Sequence, residues 1–299
     1  MFKKILFATS ATKVSDHAAR VAFNMAERYN ASLDLFHVLG VPTRGYSQEV
    51  MDVKTREKVE VNDEYISWID EELKTYYTDQ LSDAIQSNIT VAVGVPHREI
   101  LRQARKTNAD LIVLGGNTGD EEDAVYKHSM AGSTLQRVAR GAMCPVLVVN
   151  RPAASFWGGV SSIVFGTDFS KASDKAFDFA CNFASTMGCE INLFHALDIS
   201  TTPVGRAMPQ DEIEQKIRES LRKMRSRYVS KMEGIHAYSM DVWEGIPYVE
   251  IVKYSREKHA DLIIMAHHSR KIEADVSQIG SNMEQVIVRA GCPVISVNR

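Results

Sequence analysis

The residues best suited to chemistry are the glycines and hydroxyls of Leu114-Gly115-Gly116-Asn117-Thr118-Gly119 and, after twelve intervening residues, Gly132-Ser133-Thr134. Glycines let main-chain N–H groups approach an anion closely, and a helix opening at Gly132-Ser133-Thr134 adds further donors and a favourable dipole. The Ser133 or Thr134 hydroxyl can bind a phosphate oxygen or cap the helix. The chemistry is recognition of a phosphorylated ligand by main chain. The alternative reading of the same residues is a Gly-rich turn with an ordinary cap. Between the two halves lies the acidic run Asp120, Glu121, Glu122 and Asp123, which repels a triphosphate unless it turns outward or holds a cation.

What must position these residues is written twice in the chain. Ile5-Leu6-Phe7-Ala8-Thr9-Ser10 returns as Ile163-Val164-Phe165-Gly166-Thr167-Asp168, and Leu33-Asp34-Leu35-Phe36-His37-Val38 as Ile191-Asn192-Leu193-Phe194-His195-Ala196. Gly94-Val95-Pro96 returns as Gly245-Ile246-Pro247, Ala109-Asp110-Leu111-Ile112 as Ala260-Asp261-Leu262-Ile263, and Cys144-Pro145-Val146 as Cys292-Pro293-Val294. The offset is 158 for the first two blocks, 151 for the next two and 148 at the end, so length changes are confined to two connections. Each copy alternates apolar runs with amphipathic helices. The predicted first helices end at Asn30 and Gly188, residue types that tolerate a left-handed C-terminal turn, and Pro96 and Pro247 suit a first helical turn. The apolar runs are β-branched with little in/out alternation, as in parallel strands covered on both faces. The expectation is an α/β chain of two doubly wound, five-stranded, Rossmann-like parallel-sheet domains in tandem: 1–150, a linker at 151–159, and 160–299. Phe156 and Trp157 of the linker are expected to pack between the halves, and the final strands, 146–149 and 294–297, to pair edge to edge.

A formal net charge of -3 gives no electrostatic case for nucleic acid or an anionic membrane as a partner, and no stretch approaches the length of a membrane span. The Met1-Phe2-Lys3-Lys4 start resembles a signal peptide, but its apolar run is short and the second copy repeats it in mid-chain. The expected location is the cytoplasm. Four cysteines, two of them in repeated Cys-Pro-Val, read as buried strand residues rather than a disulfide framework.

These motifs, in this order and twice, resemble the universal stress protein family in its tandem two-domain form, over essentially the whole chain. The resemblance rests on Lys4-Ile5-Leu6-Phe7-Ala8-Thr9 and Ile163 to Ser170, the Phe-His ends of the second strands, the two Gly-x-Pro helix starts, and the Gly-Ser and Cys-Pro-Val endings. It implies a parallel-sheet fold of this kind and frequent dimerisation. In one branch it implies ATP held by a motif of Gly, two residues, Gly, nine residues and Gly-Ser/Thr, with an aspartate after strand one and main chain after strand two on the nucleoside; another branch lacks the motif. Here Gly116 and Gly119 have the first spacing, with Gly115 in the family's place after the strand, but twelve residues precede Gly132. Ser10 stands at the aspartate position. Copy two keeps Asp168 and Gly280-Ser281 and replaces the glycines by Ala266-His267-His268-Ser269.

The resemblance therefore implies an adenine nucleotide, ATP or AMP with or without magnesium, at Ser10, Val38, Gly115, Gly116, Gly119, Gly132, Ser133 and Thr134. A second candidate set is Asp168, Ala196, Ala266, Gly280 and Ser281, where Cβ atoms and imidazoles crowd the phosphate approach. The expected function is a stress-response nucleotide switch; the alternative is a scaffold or adaptor that kept the fold and lost the ligand. No Walker lysine loop, nucleophile elbow or kinase signature is present, so turnover is expected to be absent or limited to very slow ATP hydrolysis. His267-His268 lacks a third ligand and reads as a polar loop rather than a metal site. His37 and His195 are expected to hold a loop through a ring hydrogen bond. The acidic Glu57 to Glu72 helix and the basic Lys216 to Lys231 helix are read as solvated faces, with complementary contact or an anionic partner as the alternative.

Overall fold

The structure, a computed structural model, describes residues 1–40, 49–51, 58–81, 85–116, 134–153, 156, 159–199, 208–267 and 282–298. The chain forms two compact units, the first from Phe2–Lys127 and Ala131–Asn150, the second essentially Arg151–Arg299. The first runs β1 (Lys4–Thr9), α1 (Lys13–Tyr29), β2 (Ser32–Gly40), β3 (Glu49–Met51), β4 (Lys58–Glu60), α2 (Asp63–Tyr76), β5 (Ser87–Gly94), α3 (Pro96–Thr107), β6 (Leu111–Gly115), α4 (Thr134–Gly141) and β7 (Val146–Val149). The second runs β8 (Ser162–Gly166), α5 (Lys171–Met187), β9 (Glu190–Leu197), α6 (Gln210–Arg227), β10 (Tyr238–Glu244), α7 (Pro247–Glu257), β11 (Leu262–Ala266), α8 (Asn282–Arg289) and β12 (Val294–Val297).

In the first unit the strands lie in the order β5-β2-β1-β6-β7, and in the second β10-β9-β8-β11-β12. Every pairing within these sets is parallel, with Ile5 opposite Leu33 on one side of β1 and Leu111 on the other, and Ile163 opposite Ile191 and Leu262 likewise. The expected α/β class and doubly wound order are therefore observed. β6, β7, β11 and β12 are rich in Leu, Ile and Val; β7, β12, the first four residues of β6 and the first three of β11 are buried. The order reverses between β1 and β6 and between β8 and β11, which makes the carboxyl ends of those strands the crevice available to a ligand.

Local chemistry explains the element ends. Asn30 and Gly188 take the left-handed conformation, at φ 48° and 66°, and their N–H groups return to the last carbonyls of α1 and α5. Pro96 and Pro247 open α3 and α7, where a missing N–H costs nothing. The strands run longer than the apolar runs: β5 begins at Ser87, because parallel pairing with β2 continues through Asn88↔Asp34 beyond the hydrophobic stretch. α2 ends at Tyr76, with Tyr77 as its cap. The antiparallel β3–β4 pair, Glu49↔Glu60, is invisible to the period-two pattern, being only three residues long in each strand.

Three further points are local. Phe156 is buried, at 3 % exposed, while Trp157 lies outside the described residues. Cys144 and Cys292 sit half-buried in the bends before β7 and β12, not in the strands, because Pro145 and Pro293 delay the start of pairing; burial pushes their thiols up to about 11 and about 12. Arg227 departs from the solvated-face reading of α6: its guanidinium forms a bidentate pair with Asp174 of α5 at 2.6 Å for both contacts. Among the described residues no helix is long and apolar enough to cross a membrane.

The left-handed caps generate a stability prediction. Gly188→Ala is expected to cost about 1–2 kcal/mol, the price of a Cβ in that conformation, whereas Asn30→Gly is expected to change stability by less than about 1 kcal/mol. Urea unfolding of the two variants, read against the parent, checks the contrast.

Candidate functional site

The turn that follows β1 is built the same way in both units. Thr9 is buried at the strand end; its hydroxyl accepts from the Ala11 N–H at 2.9 Å and pairs with the Tyr77 hydroxyl at 2.6 Å. Thr167 does the same, accepting from Phe169 N–H at 2.9 Å and pairing with Tyr228 at 2.8 Å. The N–H contact folds the chain sharply enough that Ala11 and Phe169 both stand at positive φ, 54° and 59°. Tyr77 and Tyr228 follow directly on α2 and α6, and their rings pack edge-on against Phe7 and Phe165. A buried hydroxyl pair thus ties the second helix of each unit to the mouth of the crevice. Burial raises both phenols, Tyr77 well above the ordinary range and Tyr228 to about 12, so both stay protonated and able to donate.

A second link runs alongside. Asp16 accepts from the Tyr76 hydroxyl at 2.8 Å in the first unit, and Asp174 holds Arg227 at the corresponding place in the second. The Arg227 guanidinium holds the Asp174 carboxyl below its usual range.

The histidines fulfil the role read from their repeat-equivalence. His37 Nδ1 donates to the Thr9 carbonyl at 2.9 Å and His195 Nδ1 to the Thr167 carbonyl at 2.8 Å. A carbonyl only accepts, so the proton sits on Nδ1 of the neutral ring. Burial lowers both histidines below 6.5, its effect outweighing the stabilising backbone bond.

The two crevices differ in what stands past this turn. Ser10 joins Thr12 and Ser15 in a cluster of hydroxyls, at 3.0 and 2.8 Å. At the equivalent place Asp168 accepts from Ser173 Oγ at 2.5 Å and from Ser170 N–H at 3.0 Å. Phe169 replaces Ala11, with its ring 4.5 Å from that of His195 and the Lys223 ammonium 4.5 Å from its centre.

Of the predicted first set, the described residues are Ser10, Val38, Gly115, Gly116 and Thr134, and the first four fall at the carboxyl ends of β1, β2 and β6. Val38 lies one residue past the Thr9↔His37 pair, and Gly115 pairs with Val149. Thr134 is the first residue of α4. Gly116 has a local reason of its own to lack a side chain: a Cβ there would sit 2.6 Å from Asn150 Oδ1 and 3.2 Å from Asn150 Cα. Gly119, Gly132 and Ser133, and the acidic run before them, lie outside the described residues. Of the second set, Asp168, Ala196 and Ala266 occupy the ends of β8, β9 and β11, while Gly280 and Ser281 lie outside the described residues. His267 takes the position of Gly116 and is buried at 8 % exposed, so that one of the two imidazoles expected to crowd the loop is enclosed; His268 lies outside the described residues. Sequence reasoning missed Thr9, Tyr77, Thr167 and Tyr228 as site-forming residues. Their exact repetition at buried polar positions was the available signal.

Comparison with known proteins gives one consistent result. The model of the universal stress protein family matches residues 1–150 and again 159–298. Universal stress protein MJ0531 of Methanocaldococcus jannaschii is 31 % identical over 160 residues, covering 51 % of this chain and 84 % of that protein. Universal stress protein YxiE of Bacillus subtilis is 30 % identical over 159 residues, covering 50 % and 99 %. The crystal structure of a universal stress protein from Archaeoglobus fulgidus superposes with a TM-score of 0.71 at 21 % identity, covering 99 % of this chain and 96 % of that one, a likeness of fold.

Two predictions follow from the turn. Thr9→Val leaves the Tyr77 hydroxyl and the Ala11 N–H without their partner and is expected to cost about 1–3 kcal/mol. The Thr9→Val/Tyr77→Phe double variant is expected to lose less than the sum of its parts, as a double-mutant cycle by urea unfolding will show. Because His37 and His195 are lowered in the folded state, the unfolded chain binds more protons below pH 6.5, and stability is expected to fall as pH drops from 6.5 toward the folded values. The His37→Asn/His195→Asn variant keeps a donor to each carbonyl and is expected to flatten that slope.

Proposed function

The chain belongs to the universal stress protein family, and we propose that its first repeat binds an adenine nucleotide, ATP or AMP, at the carboxyl edge of its sheet as a regulatory switch. The observation that carries this reading is the pair Gly115–Gly116 at the end of β6, across the strand-order switch from Ser10, with α4, which opens at Thr134, the next described helix in the chain. Glycines at a strand end leave main-chain N–H groups accessible to phosphate oxygens, and the start of α4 adds oriented donors. Gly119, Gly132 and Ser133 complete the proposed phosphate contacts. Val38 supplies main chain for the base, and Ser10 a hydroxyl that both donates and accepts. Magnesium accompanies the triphosphate in this reading and offsets the acidic run from Asp120 to Asp123.

The second repeat is the lesser site. Asp168 is retained there, but Ala266 and His267 stand where the first repeat has Gly115 and Gly116, and Cβ atoms narrow the approach to the main chain. Nothing in this reading asks for turnover. The turn hydroxyls are paired with one another, and the two histidines hold carbonyls. The function is occupancy of a site, read out by a partner of the tandem chain. The competing reading is a scaffold that binds no nucleotide.

Mass spectrometry of ligand released from purified, denatured protein separates the two: adenine nucleotide is expected, and an empty preparation that also ignores added ATP supports the scaffold. Gly132→Val is expected to abolish ATP binding, by blocking the main-chain donors while leaving the fold intact. Ser133→Ala is expected to weaken it by about 1 kcal/mol through one lost hydrogen bond or cap. Gly280→Val is expected to leave total binding nearly unchanged. Titration calorimetry on the three variants checks the assignment, and undiminished binding in Gly132→Val would place the site in the wrong repeat.

A further inference from the structure

At the opposite, amino end of the first unit's sheet lies a cleft of about 330 Å³, bordered by the starts of β1, β2 and β5 and the end of α3. Its origin is visible by comparison with the second repeat. There Tyr254 of α7 stacks on Phe194 at 4.4 Å and meets Trp243 edge-on at 5.2 Å, while its hydroxyl donates to Asp241 at 2.7 Å. The first repeat has Gln103 in place of Tyr254, whose hydroxyl also meets Ser239, the counterpart of the cleft-lining Asn88, at 3.1 Å. The ring that covers this face in the second repeat is absent from the first.

What faces that space is polar and fixed. Asp34 lines the cleft, and its carboxylate accepts from Gln103 at 2.6 Å, Thr90 at 3.1 Å and Asn88 at 3.3 Å, which orients it without neutralising it. Lys4 and Lys106 stand at the rim, with Lys4 Nζ anchored on the Thr107 carbonyl at 3.2 Å. In the second repeat these three positions are Asn192, Ser162 and Glu257, so both the acid and the cations belong to the first repeat alone. A carboxylate beside Asn and Ser groups recognises hydroxyls, as it does on a ribose. Two ammonium groups recognise a phosphate as point charges. Among the described residues none that lines the cleft is aromatic, so these offer no platform for a nucleobase, and its volume suits a ligand at the small end of the usual range.

We propose that this cleft is a second ligand site, separate from the nucleotide edge, for a small phosphorylated polyol such as a sugar phosphate, with Asp34 and Asn88 on its hydroxyls and Lys4 and Lys106 on its phosphate. The probe is glucose 6-phosphate, titrated into the isotope-labelled full chain and followed by the backbone amide resonances of Ser32, Asp34 and Asn88. Saturable shifts at these amides are expected, stronger than with glucose or inorganic phosphate alone. Asp34→Asn, and separately Lys4→Gln with Lys106→Gln, are each expected to raise Kd roughly tenfold or more, the scale of one lost charge-assisted contact. These are surface or half-buried changes, and the unperturbed remainder of each spectrum reports that the variant is folded. Gln103→Tyr, which restores the ring of the second repeat, is expected to remove the response. Absence of shifts, equal shifts from inorganic phosphate alone, or shifts indifferent to these substitutions would overturn the proposal. So would identical shifts from ATP that compete with glucose 6-phosphate, since a single site would then serve both.

Discussion

A hydrogen bond between two buried hydroxyls, Thr9 with Tyr77 and Thr167 with Tyr228, holds the crevice of each unit in shape. A hydroxyl stripped of water is tolerable only when paired, since leaving it unmet costs more than the bond itself contributes. Pairing fixes where the second helix can end and how the chain leaves β1 or β8. The same threonine oxygen accepts from the N–H two residues on, which sets the left-handed Ala11 or Phe169. Its carbonyl takes the histidine from the neighbouring strand. One residue therefore coordinates strand, turn, adjacent strand and helix, and the ends of the switch-point strands are presented on a frame with little freedom to drift.

On that frame the two repeats have moved apart at the places the frame does not constrain. The first has Gly115 and Gly116 at the carboxyl edge and Gln103 beside the amino-edge cleft. The second has the buried His267 in place of Gly116 and the packed ring of Tyr254 in place of Gln103. Its charged groups are spent internally: Arg227 on Asp174, and Asp168 on the serines of the turn. Duplication leaves one copy able to change while the other is held, and the two repeats differ in the same direction at both ends of the sheet. The first repeat stays open, and the second closes. The Gly116 contact with Asn150 adds a packing reason for that glycine, so its presence alone does not argue for phosphate; it is the coincidence of Gly115, Gly116 and the start of α4 at the switch point that supports the nucleotide reading.

Much of this was legible from residue order. The β-branched runs, the prolines opening α3 and α7, and the Asn30 and Gly188 caps each encode their structure locally, through φ preference or burial, and each was readable without a partner. The doubly wound class followed from alternation and crossover handedness. What was hidden depends on partners far away in sequence. Tyr77 reads as one more apolar residue of a stripe until Thr9, 68 residues away, is placed beneath it. The role of Arg227 needs Asp174, 53 residues away. The amino-edge cleft is hidden because its lining comes from the starts of β1, β2 and β5 and the end of α3, which are brought together only by the fold. For the candidate site, the sequence indicated the strand ends but not the hydroxyl cluster of Ser10, Thr12 and Ser15, whose members are ordinary turn residues in isolation.

The asymmetry between the repeats is the central claim, and amide hydrogen exchange of the intact chain with and without saturating ATP tests it most directly. Nucleotide is predicted to slow exchange in peptides covering the β6 end and the start of α4, with the β11 end and the start of α8 unchanged. Equal protection of both repeats, protection of the second alone, or no protection at all would contradict it.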